Sequence, residues 1–328
     1  MNQQQRQFPV PAIVLVLIVT LFPIPAVQAA DNRKLPQLTL SVLQFGTAHW
    51  ELEHIRRRHL DLEAGYRLQL NPVANLPASH LAVTGGSVDG AVADLIWAQS
   101  RYQSGTPYLY VPFSAQIGDI VVAEGSPVRQ VSDLAGLRIG VAGGPDSKGW
   151  VLLQKVAARQ GLNLTRDSEV QYAAPPLLSQ ALKRGQLDAI VTYWHFAARL
   201  RGEGGWRSAF SMADLLAELG LDRNLPVLGY VFPRNWAREH GDLVDSFAAS
   251  LALAREQLAL KPDFWKPLRP LMRNPDDGVF AALQQGFIAG DPEPLTAARI
   301  ADLKHLLVLT GAPADRLMPD ELFWRSSQ

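Results

Sequence analysis

Short apolar runs alternate with amphipathic segments along the first third of the chain. The apolar runs predict strands over residues 38–45, 66–70, 88–93 and 108–113. Segments with helical spacing lie between them, at residues 51–60, around 78–83 and directly after Asp94. Strands that alternate with helices of about ten residues are typical of a mostly parallel α/β sheet.

The pattern changes near residue 115, where a new strand over residues 117–123 follows the previous strand with no helix between them. Further strands are predicted at residues 137–142, 170–172, 187–193 and 226–233, and helices at residues 243–260, 280–288 and 296–309. We therefore predict two lobes joined by hinges near residues 113–117 and 226–230. Residues 31–115 would form the first part of lobe 1, residues 116–228 lobe 2, and residues 229–328 the rest of lobe 1 with the C-terminal helices.

The first 29 residues have the pattern of a secretory signal peptide. Arg6 precedes an apolar run over residues 13–22, and Val27-Gln28-Ala29 places small residues where a signal peptidase cleaves. An uncleaved membrane anchor is the alternative, but this run is shorter than the ~20 residues that a span requires. Because the chain has no cysteine for a disulfide or a lipid anchor, we expect a mature protein free in the periplasm, without a membrane anchor.

Composition excludes several classes of function. The 31 basic and 31 acidic side chains balance, which argues against a nucleic-acid partner. No cysteine is available as a nucleophile or metal ligand, the seven histidines are scattered, and no Gly-x-Ser-x-Gly motif occurs. We therefore predict no catalytic residue, no metal site and no cofactor.

The most informative local pattern begins at Leu137. A buried strand breaks at Gly143-Gly144-Pro145, and an amphipathic helix follows. A helix start after a glycine break presents free backbone N–H groups to an anion or a polar group. Asp146 or Ser147 would cap this helix, and Lys148 would add a positive charge. An ordinary strand-to-helix turn with Lys148 in solvent is the alternative.

Other candidate residues follow the remaining strands, where ligands bind in sheets of this kind. The alternatives are core packing for His49 and Trp97 and helix capping for Asp94. The complete set of predicted ligand-binding residues is Gly46, Thr47, His49, Asp94, Trp97, Ser114, Gly144, Ser147, Lys148, Gly149, Tyr193, Trp194, His195 and Tyr230. Because aromatic residues are frequent in this set, we expect an organic ligand with one polar or acidic end and a flat or apolar body.

Four segments occur in an order that resembles a known family. They are residues 88–94 (VDGAVAD), 118–123 (GDIVVA), 126–144 (SPVRQVSDLAGLRIGVAGG) and 181–194 (ALKRGQLDAIVTYW). The order is similar to that of the ABC-transporter solute-binding proteins for aliphatic sulfonates, taurine, nitrate and thiamine-precursor pyrimidines. The stretch GGPDSKG at residues 143–149 departs from the glycine-serine-serine type of the sulfonate binders, so the ligand stays open.

The resemblance implies the two-lobed, type II periplasmic-binding-protein fold, with a helical C-terminal region. It also implies a monomer that binds a small molecule in the interlobe cleft, closes around it and delivers it to a permease and an ATPase on separate chains. Two other functions stay open. One is a periplasmic accessory or sensor protein, and the other is an enzyme similar to the pyrimidine-precursor synthases.

Overall fold

A computed structural model describes residues 35–325. Its strands form two five-stranded sheets, with the orders β2-β1-β3-β10-β4 and β7-β6-β8-β5-β9. The strands are β1 (Gln37–Leu43), β2 (Arg67–Val73), β3 (Gly90–Asp94), β4 (Tyr108–Ser114), β5 (Gly118–Ala123), β6 (Arg138–Ala142), β7 (Glu169–Ala173), β8 (Ala189–Tyr193), β9 (Trp206–Ser211) and β10 (Leu228–Pro233). The first sheet thus combines the first four strands of the chain with β10, the last strand.

Thirteen α-helices flank the two sheets in the described part of the chain. They are α1 (Thr47–Arg58), α2 (Leu60–Glu63), α3 (Leu76–Thr84), α4 (Leu95–Gln103), α5 (Lys148–Arg159), α6 (Leu164–Asp167), α7 (Pro175–Lys183), α8 (Trp194–Glu203), α9 (Met212–Glu218), α10 (Arg234–Glu239), α11 (Gly241–Leu260), α12 (Asp277–Ala289) and α13 (Ala297–Leu309). Three 3-10 helices complete the set, at Val131–Leu134, Pro262–Met272 and Asp320–Leu322. Two α/β sheets with flanking helices confirm the predicted fold class.

One strand in each sheet runs against its neighbours. Strand β10 pairs antiparallel with β3 and β4, and β5 pairs antiparallel with β8 and β9. The other observed pairings, β1 with β2 and β3 and β6 with β7 and β8, are parallel. Both reversed strands follow a crossing from one sheet to the other: β5 follows β4 with no helix between them, whereas α9 lies between β9 and β10.

The segment from Trp194 to Glu218 differs from the prediction, which placed no helix or strand there. Helix α8 begins directly at the end of β8, without a loop to mark it. Strand β9 has the sequence WRSAFS, and all its residues are half-buried, so it shows no alternation of apolar and polar positions. Both elements are stabilised by tertiary contacts, since β9 pairs with β5 and α8 packs on β5 and β9.

The helices after β10 pack against helices that flank both sheets. Helix α11 packs against α1, whereas α12 packs against α8. A Cβ atom at Gly202 of α8 would lie 2.5 Å from the Cα atom of Val279 in α12, so only glycine permits this close helix crossing. Helix α12 therefore joins elements that flank different sheets.

Both crossings between the sheets bond to the segment that follows α12. The Ala115 N–H donates to the Gly290 carbonyl at 3.0 Å. The second crossing is held by Arg299, which forms an ion pair with Asp222 at 2.7 Å and also donates to the Asn224 carbonyl. These contacts tie residues 290–299 to both crossings between the sheets.

The predicted signal peptide, residues 1–29, lies outside the described residues. Within residues 35–325 no helix combines the length and the apolar character that crossing a membrane requires.

Candidate functional site

Three helices begin at the ends of β1, β6 and β8 without a side-chain cap. The residues that precede α1, α5 and α8 are Gly46, Ser147 and Tyr193, and none of their side chains bonds to a helix N–H group. Helices α3, α4, α6, α9, α12 and α13 begin with capping side chains, whereas α2, α7, α10 and α11 also lack one. Their free N–H groups and the positive ends of their dipoles make α1, α5 and α8 suitable for binding an anion.

Contacts between the sheets bring these helix starts together. Trp50 of α1 and Trp194 of α8 have ring centroids 6.1 Å apart. A Cβ atom at Gly143, before α5, would lie 3.4 Å from the Tyr193 hydroxyl. Lys148 Nζ lies 3.0 Å from Asp94 Oδ2, which joins the start of α5 to the start of α4. The starts of α1, α8, α5 and α4 therefore lie next to one another, and the region that they share is called the cleft below.

The predicted stretch from Gly144 to Gly149 lies in this cleft wall. Ser147 is the N-cap residue of α5, but its Oγ atom is buried without a hydrogen-bond partner among the described residues. Gly144 has open space around it, whereas a Cβ atom at Gly149 would lie 2.8 Å from the Met212 side chain. The lack of a side chain at Gly149 thus allows α5 to pack closely on α9. In this stretch the hydroxyl group of Ser147 is the buried polar group that lacks a partner among the described residues.

Asp94 and Lys148 form an ion pair across the cleft. Asp94 also accepts the Trp97 N–H at 2.9 Å, so it caps α4 as well. Burial would raise the pKa of Asp94, but Lys148, the Trp97 N–H bond and nearby His80 together lower that pKa below its ordinary value. The carboxylate is therefore charged at neutral pH, and it neutralises Lys148.

We expect Asp94→Asn to change stability by about 1 kcal/mol or less, because asparagine still caps α4 and only the half-buried ion pair is lost. Asp94→Ala, which also removes the cap, should cost about 1 kcal/mol more. The folded pKa of Asp94 is depressed, so its contribution is present above about pH 4 and is lost as the pH falls through the lowered value. Chemical denaturation of both variants from pH 7 to pH 3 measures this. A difference between wild type and Asp94→Asn that persists at the lowest pH would contradict it.

His80 is a residue that the sequence pattern did not single out. Its ring stacks on Trp97 with centroids 4.4 Å apart, and its Nε2 atom is buried without a partner among the described residues. Burial lowers the pKa of His80, although Asp94 opposes this shift. His80 could have been recognised only from its tertiary position, because its contact with Trp97 depends on how α3 packs beside α4.

Thr47 and His49, two predicted residues at the start of α1, have different surroundings. Thr47 is buried in the first turn. His49 turns back, and its Nδ1 atom lies 2.8 Å from the Gln44 carbonyl, so it braces the loop before the helix. Its position agrees with the packing alternative.

Three other predicted residues lie in the interior. Trp194 is 4% exposed and packs against Trp50, and Tyr230 is fully buried with its hydroxyl 2.5 Å from Glu51. Ser114 is buried, and its Oγ atom accepts the Gln116 N–H at 3.1 Å. These positions differ from the predicted orientation toward a ligand, because burial of large rings and satisfaction of polar groups decide where such side chains point.

Tyr193 and His195 lie on the cleft side of α8. Tyr193 is 43% exposed and stacks on His195 at a centroid distance of 6.3 Å. Burial, together with Arg199 and Arg273, lowers the pKa of His195 to about 4. The two arginines were not predicted, since nothing in the local sequence distinguishes them from solvated surface residues. Among residues 35–325, no group of three or more histidine, cysteine, aspartate or glutamate side chains could hold a metal ion.

Comparison with known proteins identifies relatives of this fold. The model of the NMT1/THI5-like family matches residues 63–263, which is more than half of the chain. A curated protein of Escherichia coli (strain K12), whose name assigns it to binding aliphatic sulfonates, is 28% identical over 186 residues. That match covers 54% of this chain and 54% of the relative, so the chain spans about half the length of this curated protein.

Solved structures show the same fold over most of the chain. The periplasmic aliphatic sulphonate binding protein SsuA from Escherichia coli superposes with a TM-score of 0.67 and 20% identity, over 84% of this chain and 91% of that one. The alkanesulfonate-binding protein SsuA from Xanthomonas axonopodis pv. citri, bound to MOPS, gives 0.64 and 21%, over 88% and 98%. The desulfurization enzyme DSZB gives 0.58 and 16%, over 88% and 97%.

Proposed function

Because the chain belongs to the NMT1/THI5-like family, we propose that it is the solute-binding component of an ABC importer for a small organic anion of the sulfonate type. The observation that carries this proposal is the set of uncapped starts of α1, α5 and α8 around one cleft. The buried and unpartnered Ser147 Oγ supplies a further donor at the same place. A relative named for sulfonate binding and two sulfonate-binding structural neighbours support the ligand class.

The transport cycle follows from the proposed architecture. Residues 31–115 and 229–328 act as one lobe and residues 116–228 as the other, and the chain bends at the two crossings. Ligand binding favours the closed form, in which Lys148 and Asp94 meet across the cleft. The closed protein then delivers its ligand to a permease and an ATPase on other chains. The proposed location is the periplasm, after cleavage of the signal peptide.

The catalytic alternative has little support from side chains. The fold itself permits an enzyme, since one structural neighbour is a desulfurization enzyme. Within residues 35–325, however, no histidine ring hydrogen-bonds to a serine or threonine hydroxyl, and the whole chain lacks cysteine. We therefore propose binding without chemistry.

A binding panel tests the proposal. Ethanesulfonate, taurine, MOPS, nitrate and an aminopyrimidine would be titrated by calorimetry and followed by thermal denaturation. A ligand at 100 times its dissociation constant adds about 2.7 kcal/mol of stability, which raises the melting temperature by several degrees. We expect sulfonates to do so. If only the aminopyrimidine binds, the ligand is a heteroaromatic solute and not an organic anion. If no compound in the panel binds, the proposal is contradicted.

Ser147→Asp provides a matched test of the helix starts. The new carboxylate would cap α5 and place a negative charge in the cleft that repels an anionic ligand, so we expect a more stable protein with at least tenfold weaker sulfonate binding. Thr296→Asp is the control, because Thr296 already caps α13 and aspartate preserves that role. Unchanged affinity in Ser147→Asp would show that the start of α5 does not face the ligand.

A further inference from the structure

Two arginines from different parts of the chain meet at the α8 end of the cleft. Arg199 lies one turn after His195 on the same face of α8. Its Nη2 atom donates to the Met272 carbonyl at 2.9 Å, which places it beside Arg273. Arg273, which lies in the C-terminal half of the chain, thus brings a second guanidinium group close to α8, and α8 packs on β5 and β9.

Arg273 is held in an unusual conformation at this place. Its φ angle is +60° and that of Asn274 is +46°, so two successive residues other than glycine adopt the left-handed region. The guanidinium carbon of Arg273 lies 4.7 Å from the ring centroid of Phe45, directly before the start of α1. Arg273 is the left-handed C-cap of the 3-10 helix Pro262–Met272, and its N–H group donates to the Arg269 and Pro270 carbonyls.

No acid balances these two arginines. Neither Arg199 nor Arg273 forms an ion pair within residues 35–325, and the nearby Glu203 pairs with Lys183 instead. Burial and the neighbouring Arg273 lower the pKa of Arg199, although the charge of Glu203 opposes this shift. At the other end of the cleft, Lys148 is neutralised by Asp94. The α8 end therefore carries the excess positive charge of the site.

We propose that Arg199 and Arg273 bind the acidic group of the ligand, with the starts of α1 and α8, and that the uncharged part of the ligand points toward Lys148 and Asp94. The planar guanidinium groups match the oxygens of a sulfonate or carboxylate. Phe45 and Tyr193, exposed by 45% and 43%, flank this position and provide contacts for an aromatic or apolar body. The inference rests on the proposed function and adds that the ligand is an aromatic or apolar organic acid.

A pair of probes with the same shape tests the charge requirement. Benzenesulfonate should bind and its uncharged analogue benzenesulfonamide should not. Arg199→Gln and Arg273→Gln should each weaken benzenesulfonate binding roughly ten- to hundredfold, because each removes a charge-assisted hydrogen bond. Arg58→Gln is the control. Arg58 lies over the Phe264 ring at a similar distance, 4.8 Å, but in the last turn of α1, away from the helix starts.

Inorganic sulfate gives a readout that does not depend on the transported solute. At equal ionic strength, sulfate should raise the melting temperature of wild type and Arg58→Gln more than that of the Arg199→Gln/Arg273→Gln double variant. The pKa of His195, followed by NMR, should rise in either arginine variant, because both arginines oppose its protonation. If Arg199 and Arg273 do not form a charged subsite, sulfate should stabilise all the proteins equally and the pKa of His195 should not change. That result would overturn the inference. If sulfate binds as expected but no organic anion does, the subsite stands and the proposed function fails.

Discussion

Replacing Arg255 with methionine should destabilise the protein by about 3–5 kcal/mol, because it leaves the carboxylate of Glu51 buried without its partner. Glu51 is 0% exposed, and Arg255 Nε lies 2.8 Å from its Oε2 atom. The Tyr230 hydroxyl donates to the same carboxylate at 2.5 Å. This network connects α1, β10 and α11, so its loss should also shift the start of α1 in the cleft.

The pH dependence of Arg255→Met follows from the same contacts. Burial raises the pKa of Glu51, and Arg255 is the main influence that lowers it. Without Arg255 the folded pKa rises further above the unfolded value, so the folded state binds more protons than the unfolded state. The stability deficit should therefore be largest at neutral pH and shrink as the pH falls through the raised pKa. Urea denaturation from pH 8 to pH 4.5 measures this.

A double variant separates an unpaired charge from lost packing. Glu51→Leu/Arg255→Met removes both charged partners and should recover much of the stability, since apolar side chains can replace a buried ion pair at little cost. A single variant Arg255→Met that loses less than 1 kcal/mol would show that the buried pair does not contribute as the geometry indicates.

Trp194→Ala should cost about 3–5 kcal/mol of stability, because it removes a large side chain from a closely packed cluster. The Trp50 ring lies 6.1 Å from Trp194 on one side, and the Trp265 and Phe287 rings pack against Trp50 at 6.2 Å and 5.8 Å. A Cβ atom at Gly286 of α12 would lie only 2.7 Å from the Trp194 ring. The cluster joins α1, α8 and α12, so we also expect a looser connection between the two sheets.

The neighbouring residue is the control for this prediction. Tyr193→Ala should cost less than about 1 kcal/mol, because this ring is 43% exposed, but it should weaken ligand binding. Thermal denaturation and calorimetry with benzenesulfonate distinguish the two roles. If Trp194→Ala kept its stability and lost binding, Trp194 would face the ligand after all.

Much of the fold follows from local patterns. Continuous apolar runs such as GDIVVA in β5 indicate buried strands, and glycine breaks such as Gly143-Gly144 mark where a strand ends. Helix α8 and strand β9 were not predicted, because WRSAFS has no alternation and α8 carries few large apolar residues. Long-range pairing with β5 and packing on α12 decide both elements.

For the site, the period of the apolar pattern locates the strand ends, and the candidate residues follow those ends. Asp94, Ser147, Lys148 and Tyr193 came from this pattern, and all four lie at the starts of α4, α5 and α8. Only the tertiary structure decided that Lys148 is neutralised by Asp94, that Trp194 turns inward beside an exposed Tyr193, and that Arg199 meets Arg273. The physical reason is that charge balance and burial depend on distances between segments far apart in the chain, which local periodicity does not contain.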